Sequence, residues 1–185
     1  MAEHVCPWWL GYFLISPVRR LGSDRPESLL ASYLKEGMTV LEPGPGMGFF
    51  TLPMARMAGA TGRVIAVDIQ IKMLENLRRR ANRSGLQSRI ETRLAQPDSL
   101  CVADLAETVD FVLAFAVVHE MHSPENFFNE TAAALKPRGR LLLAEPVGHV
   151  KPDRFDRELG AARAAGLQLI ERPKVRRSIA ALFAK

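Results

Sequence analysis

Short apolar runs alternate along this chain with segments of helix length, and that alternation leaves few folds open. "MTVLEP" (38–43), "GRVIAVDI" (62–69), "VDFVLAFAVV" (109–118) and "RLLLAEP" (140–146) read as buried strands, with "RIETRLA" (89–95) a weaker one. Between them, "FFTLPMARMAG" has helical spacing and ends at Gly59. "KMLENLRRRANRSG" (72–85) puts Met73, Leu74 and Leu77 on one face. "SPENFFNETAAALKPRG" (123–139) opens with a Ser cap and Pro at the first helical position, and closes on Lys-Pro-Arg-Gly. "DRFDRELGAARAAGL" (153–167) reads as a helix, with "LQLIE" and "SIAALFA" strand-like after it. Strands joined by helix-length connections imply a parallel sheet covered on both faces, an α/β fold.

At 185 residues the chain suits one domain with a sizeable core, and 48% apolar with 24% charged residues is ordinary globular composition. Cys6 and Cys101 are too few and too far apart for a disulfide framework or a metal knuckle, which points to a reducing cytoplasm. The aromatic run "WWLGYFLI" (8–15) is too short to span a bilayer and lacks the features of a secretory signal. Residues 1–36 are read as a cap, aromatic at first and helical from about Pro26 to Leu34, ahead of a domain over 37–185. Trp8, Trp9, Tyr12 and Phe13 can form a lid over a cleft, a plug on the sheet, or a shallow membrane-surface anchor. The net charge is +5, with basic clusters at 76–83 and 172–177. No RNA-binding or helix-turn-helix signature accompanies them, so a solvated surface is favoured over a nucleic-acid interface.

The stretch "TVLEPGPGMGFF" (39–50) carries the chemistry. A glycine-rich turn between a strand and a helix lets backbone N–H groups approach a ligand. Gly44, Gly46 and Gly48 have GxGxG spacing; the dinucleotide fingerprint requires glycine where Phe49 stands, and no Gly-Lys-Ser/Thr of a nucleotide triphosphate loop follows. Glu42 ahead of the loop repels a pyrophosphate and suits a cationic amine. Asp68, ending the second strand, can accept hydrogen bonds from ribose hydroxyls.

With "VIAVDIQIKML" and "VDFVLAFAVVHEMHSPENFFNETAAALKPRGRLLLAEP", these residues resemble the class I S-adenosylmethionine-dependent methyltransferases, in particular the small-molecule, methyltransferase 11-like branch. The resemblance implies a Rossmann-like, doubly wound, seven-stranded sheet, mostly parallel, with the last strand ("RSIAALFA") antiparallel. It implies S-adenosyl-L-methionine as cofactor, its methionine end held by Glu42, Gly44, Pro45, Gly46 and Gly48, and its ribose by Asp68. Ile69 would pack on the adenine, Gln96 or Asp98 would face the adenine amine, and Ala114 and Phe115 would flank the methionine end.

Methyl transfer needs a positioned nucleophile and a route for its proton. His119 in "VHEMH" is the first candidate for a general base, with Glu120 and His149 of "EPVGH" next. "HEMH" spaces its histidines three apart, unlike a HExxH zinc motif, and no metal is expected. The Asn/Asp-Pro-Pro-Tyr/Phe motif of base-methylating enzymes is missing from "AFAVVHEM", and two cysteines fall short of the thiols an arsenite methyltransferase needs. A small-molecule acceptor is therefore expected. The alternatives are an RNA or other nucleic-acid methyltransferase, a non-catalytic cofactor-binding module, and a nicotinamide oxidoreductase, which Phe49 disfavours.

Overall fold

The computed structural model describes residues 24–185. The aromatic segment with Trp8, Trp9, Tyr12 and Phe13, and Cys6, lie outside the described residues. Seven strands form one sheet: β1 (Thr39–Pro43), β2 (Arg63–Asp68), β3 (Ile90–Leu94), β4 (Val109–Phe115), β5 (Leu135–Pro146), β6 (Gln168–Glu171) and β7 (Ser178–Ala184). Their order is β3-β2-β1-β4-β5-β7-β6, and every strand is parallel to the others except β7, which runs antiparallel to both its neighbours. This is the expected sheet, with its one reversed strand last in the chain.

Strand alternation divides the core between the two faces. Val40, Val64, Phe111, Leu113 and Leu142 pack with Leu30 after α1 (Pro26–Leu30) begins, with Met54 of α2 (Thr51–Met57), and with Ala81 of α3 (Ile71–Arg83). Leu41, Ile65, Val112, Leu141 and Leu143 face the other way, onto Phe127 and Phe128 of α4 (Pro124–Ala134) and Phe155 and Leu159 of α5 (Pro152–Ala164). Met73, Leu74 and Leu77 are buried as their spacing predicts, and Ser123 caps α4 by accepting from the Asn126 N–H at 3.1 Å. Among the described residues no helix is long and apolar enough to cross a membrane.

The first helix stops at Leu30 rather than about Leu34, and two strand boundaries differ from the sequence reading. The fourth strand stops at Phe115 rather than running to Val118: Ala116 turns to a φ of 55°, and Val118–Glu120 forms a 3₁₀ turn. The cause is a side chain from another strand, Glu145, which accepts the N–H groups of Val117 and Val118 at 3.3 and 2.8 Å. The fifth strand begins at Leu135, ahead of the expected Arg140. Pro137 disfavours helical backbone at Lys136, so α4 ends early. Leu135 pairs with Val109, and a register shift absorbs residues 136–139 before Arg140 pairs with Phe111.

Because β7 is reversed, its first residues lie at the same sheet edge as the C-terminal ends of β1 to β5. That edge therefore collects the glycine turn and the segments after β2 to β5, with the β6–β7 turn beside them. Phe183, fully buried between β5 and β6, anchors the reversed strand. Phe183→Ala should lower the unfolding free energy by about 3–5 kcal/mol, seen as a lower urea midpoint with an unchanged m-value. A midpoint equal to wild type would show that β7 contributes no core.

Candidate active site

A cavity of about 580 Å³ opens along this edge of the sheet. Its wall holds Glu42, Pro45, Gly46, Asp68, Ile69 and Phe115, with Gly44, Gln96, Asp98, His119, Glu120 and His149. Thus the proposed cofactor and base positions, drawn from five strand ends, converge on one space. Gly48 and Ala114 are not part of the wall. Gly48, at φ 86°, abuts Leu77, whose Cδ1 lies 2.5 Å from where a Cβ would be, so it packs the turn onto α3. Ala114 points away from Phe115 into the core with Leu41 and Val112, as strand alternation requires.

At one end of the cavity stand two carboxyls on adjacent strands. Glu42 is buried, with Thr51 Oγ1 donating to its Oε2 at 2.5 Å. Burial raises its pKa from the ordinary 4.5 to about 8; the Thr51 bond opposes this and the charge of Asp68 adds to it. Asp68 is likewise buried, and accepts the Gln70 N–H at 2.8 Å and the backbone N–H groups of Gly46 and Ile69. Burial carries it up to about 6 against those bonds. Among the described residues no cation pairs with either. Asp68 also fixes the glycine turn through Gly46, where open space lies in the direction of a Cβ. Ile69 is 41% exposed at the rim, beside a turn in which Gln96 and Ser99 exchange backbone hydrogen bonds. Buried, unpaired carboxyls beside an open glycine turn fit a ligand bearing an amine and hydroxyls.

At the exit of β4 His119, within the 3₁₀ turn, hydrogen-bonds through Nδ1 to Oε2 of Glu145, which is fully buried. Burial pulls the imidazole pKa down. The Glu145 bond and the charges of Glu145 and Glu120 outweigh it and set the value above the ordinary one. His119 Nε2 lies 4.0 Å from Glu120 Oε1, and the His149 ring centroid is 5.9 Å from that of His119. Beneath, Arg154 donates to the His119 carbonyl and approaches the buried Glu158 at 3.7 Å. Burial raises Glu158 to about 7.

Glu145 as the partner of His119, Thr51, Arg154 and the wall residue Glu130 were not singled out from the sequence. Glu145 had a readable signal: "LAEP" ends β5 as "VLEP" ends β1, each a carboxylate closing a buried run before proline. The first basic cluster serves the fold, with Arg78 donating to Thr92 Oγ1 and Arg80 to the Met47 carbonyl.

The model of the methyltransferase domain family matches residues 41–143, more than half of the chain. An arsenite methyltransferase of Halobacterium salinarum is 32% identical over 127 residues, which is 69% of this chain and 31% of that protein. A ubiquinone/menaquinone biosynthesis C-methyltransferase of Klebsiella pneumoniae is 32% identical over 114 residues, 62% of this chain and 45% of its own length. The chain thus spans less than half of these curated relatives. The crystal structure of a SAM dependent methyltransferase from Aquifex aeolicus superposes with a TM-score of 0.84 at 27% identity, covering 97% of this chain and 98% of the other.

The two acidic sites give separable expectations. A carboxyl whose folded pKa is raised keeps its proton in the native state after the unfolded chain has lost it. Stability from Glu42 is therefore complete below 4.5 and is lost as pH rises through about 8. Glu42→Gln removes that dependence and keeps an acceptor for Thr51, so the variant should gain on wild type across this window in thermal melts. Parallel melting curves would contradict the assignment. Glu145→Gln keeps an acceptor for Val117 and Val118 but drops the charge. It should lower the His119 pKa, read by NMR titration of the imidazole; an unchanged value would show that His119 does not sense Glu145.

Proposed function

Because this chain belongs to the methyltransferase domain family, we propose that it is an S-adenosylmethionine-dependent enzyme that methylates a small-molecule acceptor. The observation that carries the reading is the pair of buried carboxyls, Glu42 and Asp68, flanking the glycine turn without a cation. Bound S-adenosylmethionine supplies a methyl group already activated on a sulfonium, so the protein's part is placement and proton handling.

Glu42 holds the cofactor's amine end, with the backbone of Gly44, Pro45 and Gly46 around it. Asp68 accepts from the ribose hydroxyls, Ile69 covers one face of the adenine, and Gln96 or Asp98 meets its amine. Phe115 closes the methionine end. His119 acts as general base: with Nδ1 engaged by Glu145, its neutral form has Nε2 free to take a proton from an acceptor hydroxyl, amine or acidic carbon. Glu145 is a positioning residue that fixes this tautomer, and Glu120 and His149 flank the imidazole on the acceptor side. The metalloid chemistry named for the Halobacterium relative does not carry over: Cys101 is the one cysteine among the described residues, and it is exposed. That free thiol suits a reducing compartment, and we place the protein in the cytoplasm.

Isothermal titration with S-adenosylmethionine, S-adenosylhomocysteine and NAD tests the cofactor. The first two should bind and NAD should not, with Glu42→Ala and Asp68→Ala each weakening the first by about tenfold or more. No heat from either adenosyl ligand would overturn the proposal.

A further inference from the structure

We propose that the methyl acceptor is an anionic small molecule with an apolar body, and that Arg176 and Arg177 bind its carboxylate or phosphate. The inference rests on the methyltransferase reading and adds a substrate class to it.

Both arginines line the cavity from the turn that leads into β7, with Ser178 beside them. The turn is tight: the Ser178 N–H donates to the Val175 carbonyl at 3.1 Å. Arg177 stands there at a φ of 58°, a left-handed conformation that glycine would adopt more easily. The backbone is held on both sides, since the Val147 N–H donates to the Arg177 carbonyl at 3.1 Å and the Arg176 N–H to Asp24 Oδ2 at 2.8 Å. The side chains are exposed, and among the described residues neither guanidinium has an ion-pair partner. Arg172, in the same basic run, pairs instead with Asp156 at 3.7 Å and stays outside the cavity.

Position separates these cations from the cofactor end. In the order β1-β4-β5-β7 the turn lies three strand spacings from the glycine loop, roughly 14 Å. Glu42 and Asp68 line the cavity beside the glycine turn and Arg176 and Arg177 line it from the β6–β7 turn, with His119 and His149 in the wall together with the acidic Asp98, Glu120 and Glu130. A guanidinium pair binds oxyanions in a planar, directed way that a lysine cannot. Phe115 gives the same cavity an apolar wall. Phe115 packs against Phe50 with ring centroids 4.5 Å apart, and against the Val175 cluster at the base of the turn. An acceptor anchored by its anion would lay its apolar body along Phe115 and present its reacting group to His119.

The test is a protein-detected NMR titration in saturating S-adenosylhomocysteine, with benzoate, phenyl phosphate and benzyl alcohol as probes. At least one anion should bind more tightly than the neutral alcohol, and which anion wins identifies the group. Arg176→Gln/Arg177→Gln should weaken that anion by about tenfold or more and leave benzyl alcohol and S-adenosylhomocysteine affinity unchanged; the last shows that the variant is folded. Anion binding equal to the alcohol, or unaltered in the variant, would overturn the proposal. So would salt-sensitive binding of a single-stranded oligonucleotide that the double substitution abolishes. Failure of S-adenosylhomocysteine to bind wild type would instead strike the methyltransferase reading itself.

Discussion

The carboxylate of Glu145 decides where β4 ends and where His119 stands. It closes β5, yet its bonds go to the next strand's exit, where it accepts the N–H groups of Val117 and Val118 and engages the His119 ring. A fully buried carboxylate left without such donors would be strongly destabilising. Its need for partners therefore bends the chain at Ala116 and brings the imidazole to the cavity. Arg154 extends the arrangement downward by holding the His119 carbonyl and facing Glu158. One side chain thereby couples the core of the sheet to the His119 wall of the cavity.

The same device operates at β1, with a different outcome. Glu42 also ends a buried run before proline, but its donor is a single hydroxyl, Thr51, and its pKa rises to about 8. Glu145 directs its bonds to the backbone and the His119 ring, whereas Glu42 takes one hydroxyl and lines the cavity. Asp68 lies between these cases, held by three backbone N–H groups yet still raised to about 6 by burial.

Much of this was legible in the sequence. Parallel strands buried on both faces announce themselves as unbroken apolar runs, and the Ser-Pro pair placed the start of α4. The glycine turn, Glu42 and Asp68 could be assigned because their spacing along adjacent strands is itself the site. What escaped was set by contacts distant in sequence. The end of β4 depends on Glu145, and the early start of β5 on pairing of Leu135 with Val109. Arg176 and Arg177 looked like surface charge, because only the reversal of β7 carries them to the cavity. The resemblance sets Ala114 beside Phe115 at the methionine end, whereas alternation along the strand turns its side chain into the core.

Gly44 carries one more implication. A Cβ at this position would lie 2.6 Å from Val117 Cγ2, so the valine fills the space that the glycine vacates. The first turn of the cofactor half and the exit of β4 therefore share a single packed surface, and Val117 is itself held by Glu145. Any shift of the His119 segment presses on the glycine turn, and the reverse is equally true. If the two parts of the cavity hold donor and acceptor as proposed, this contact is where reciprocal cooperativity between them would originate.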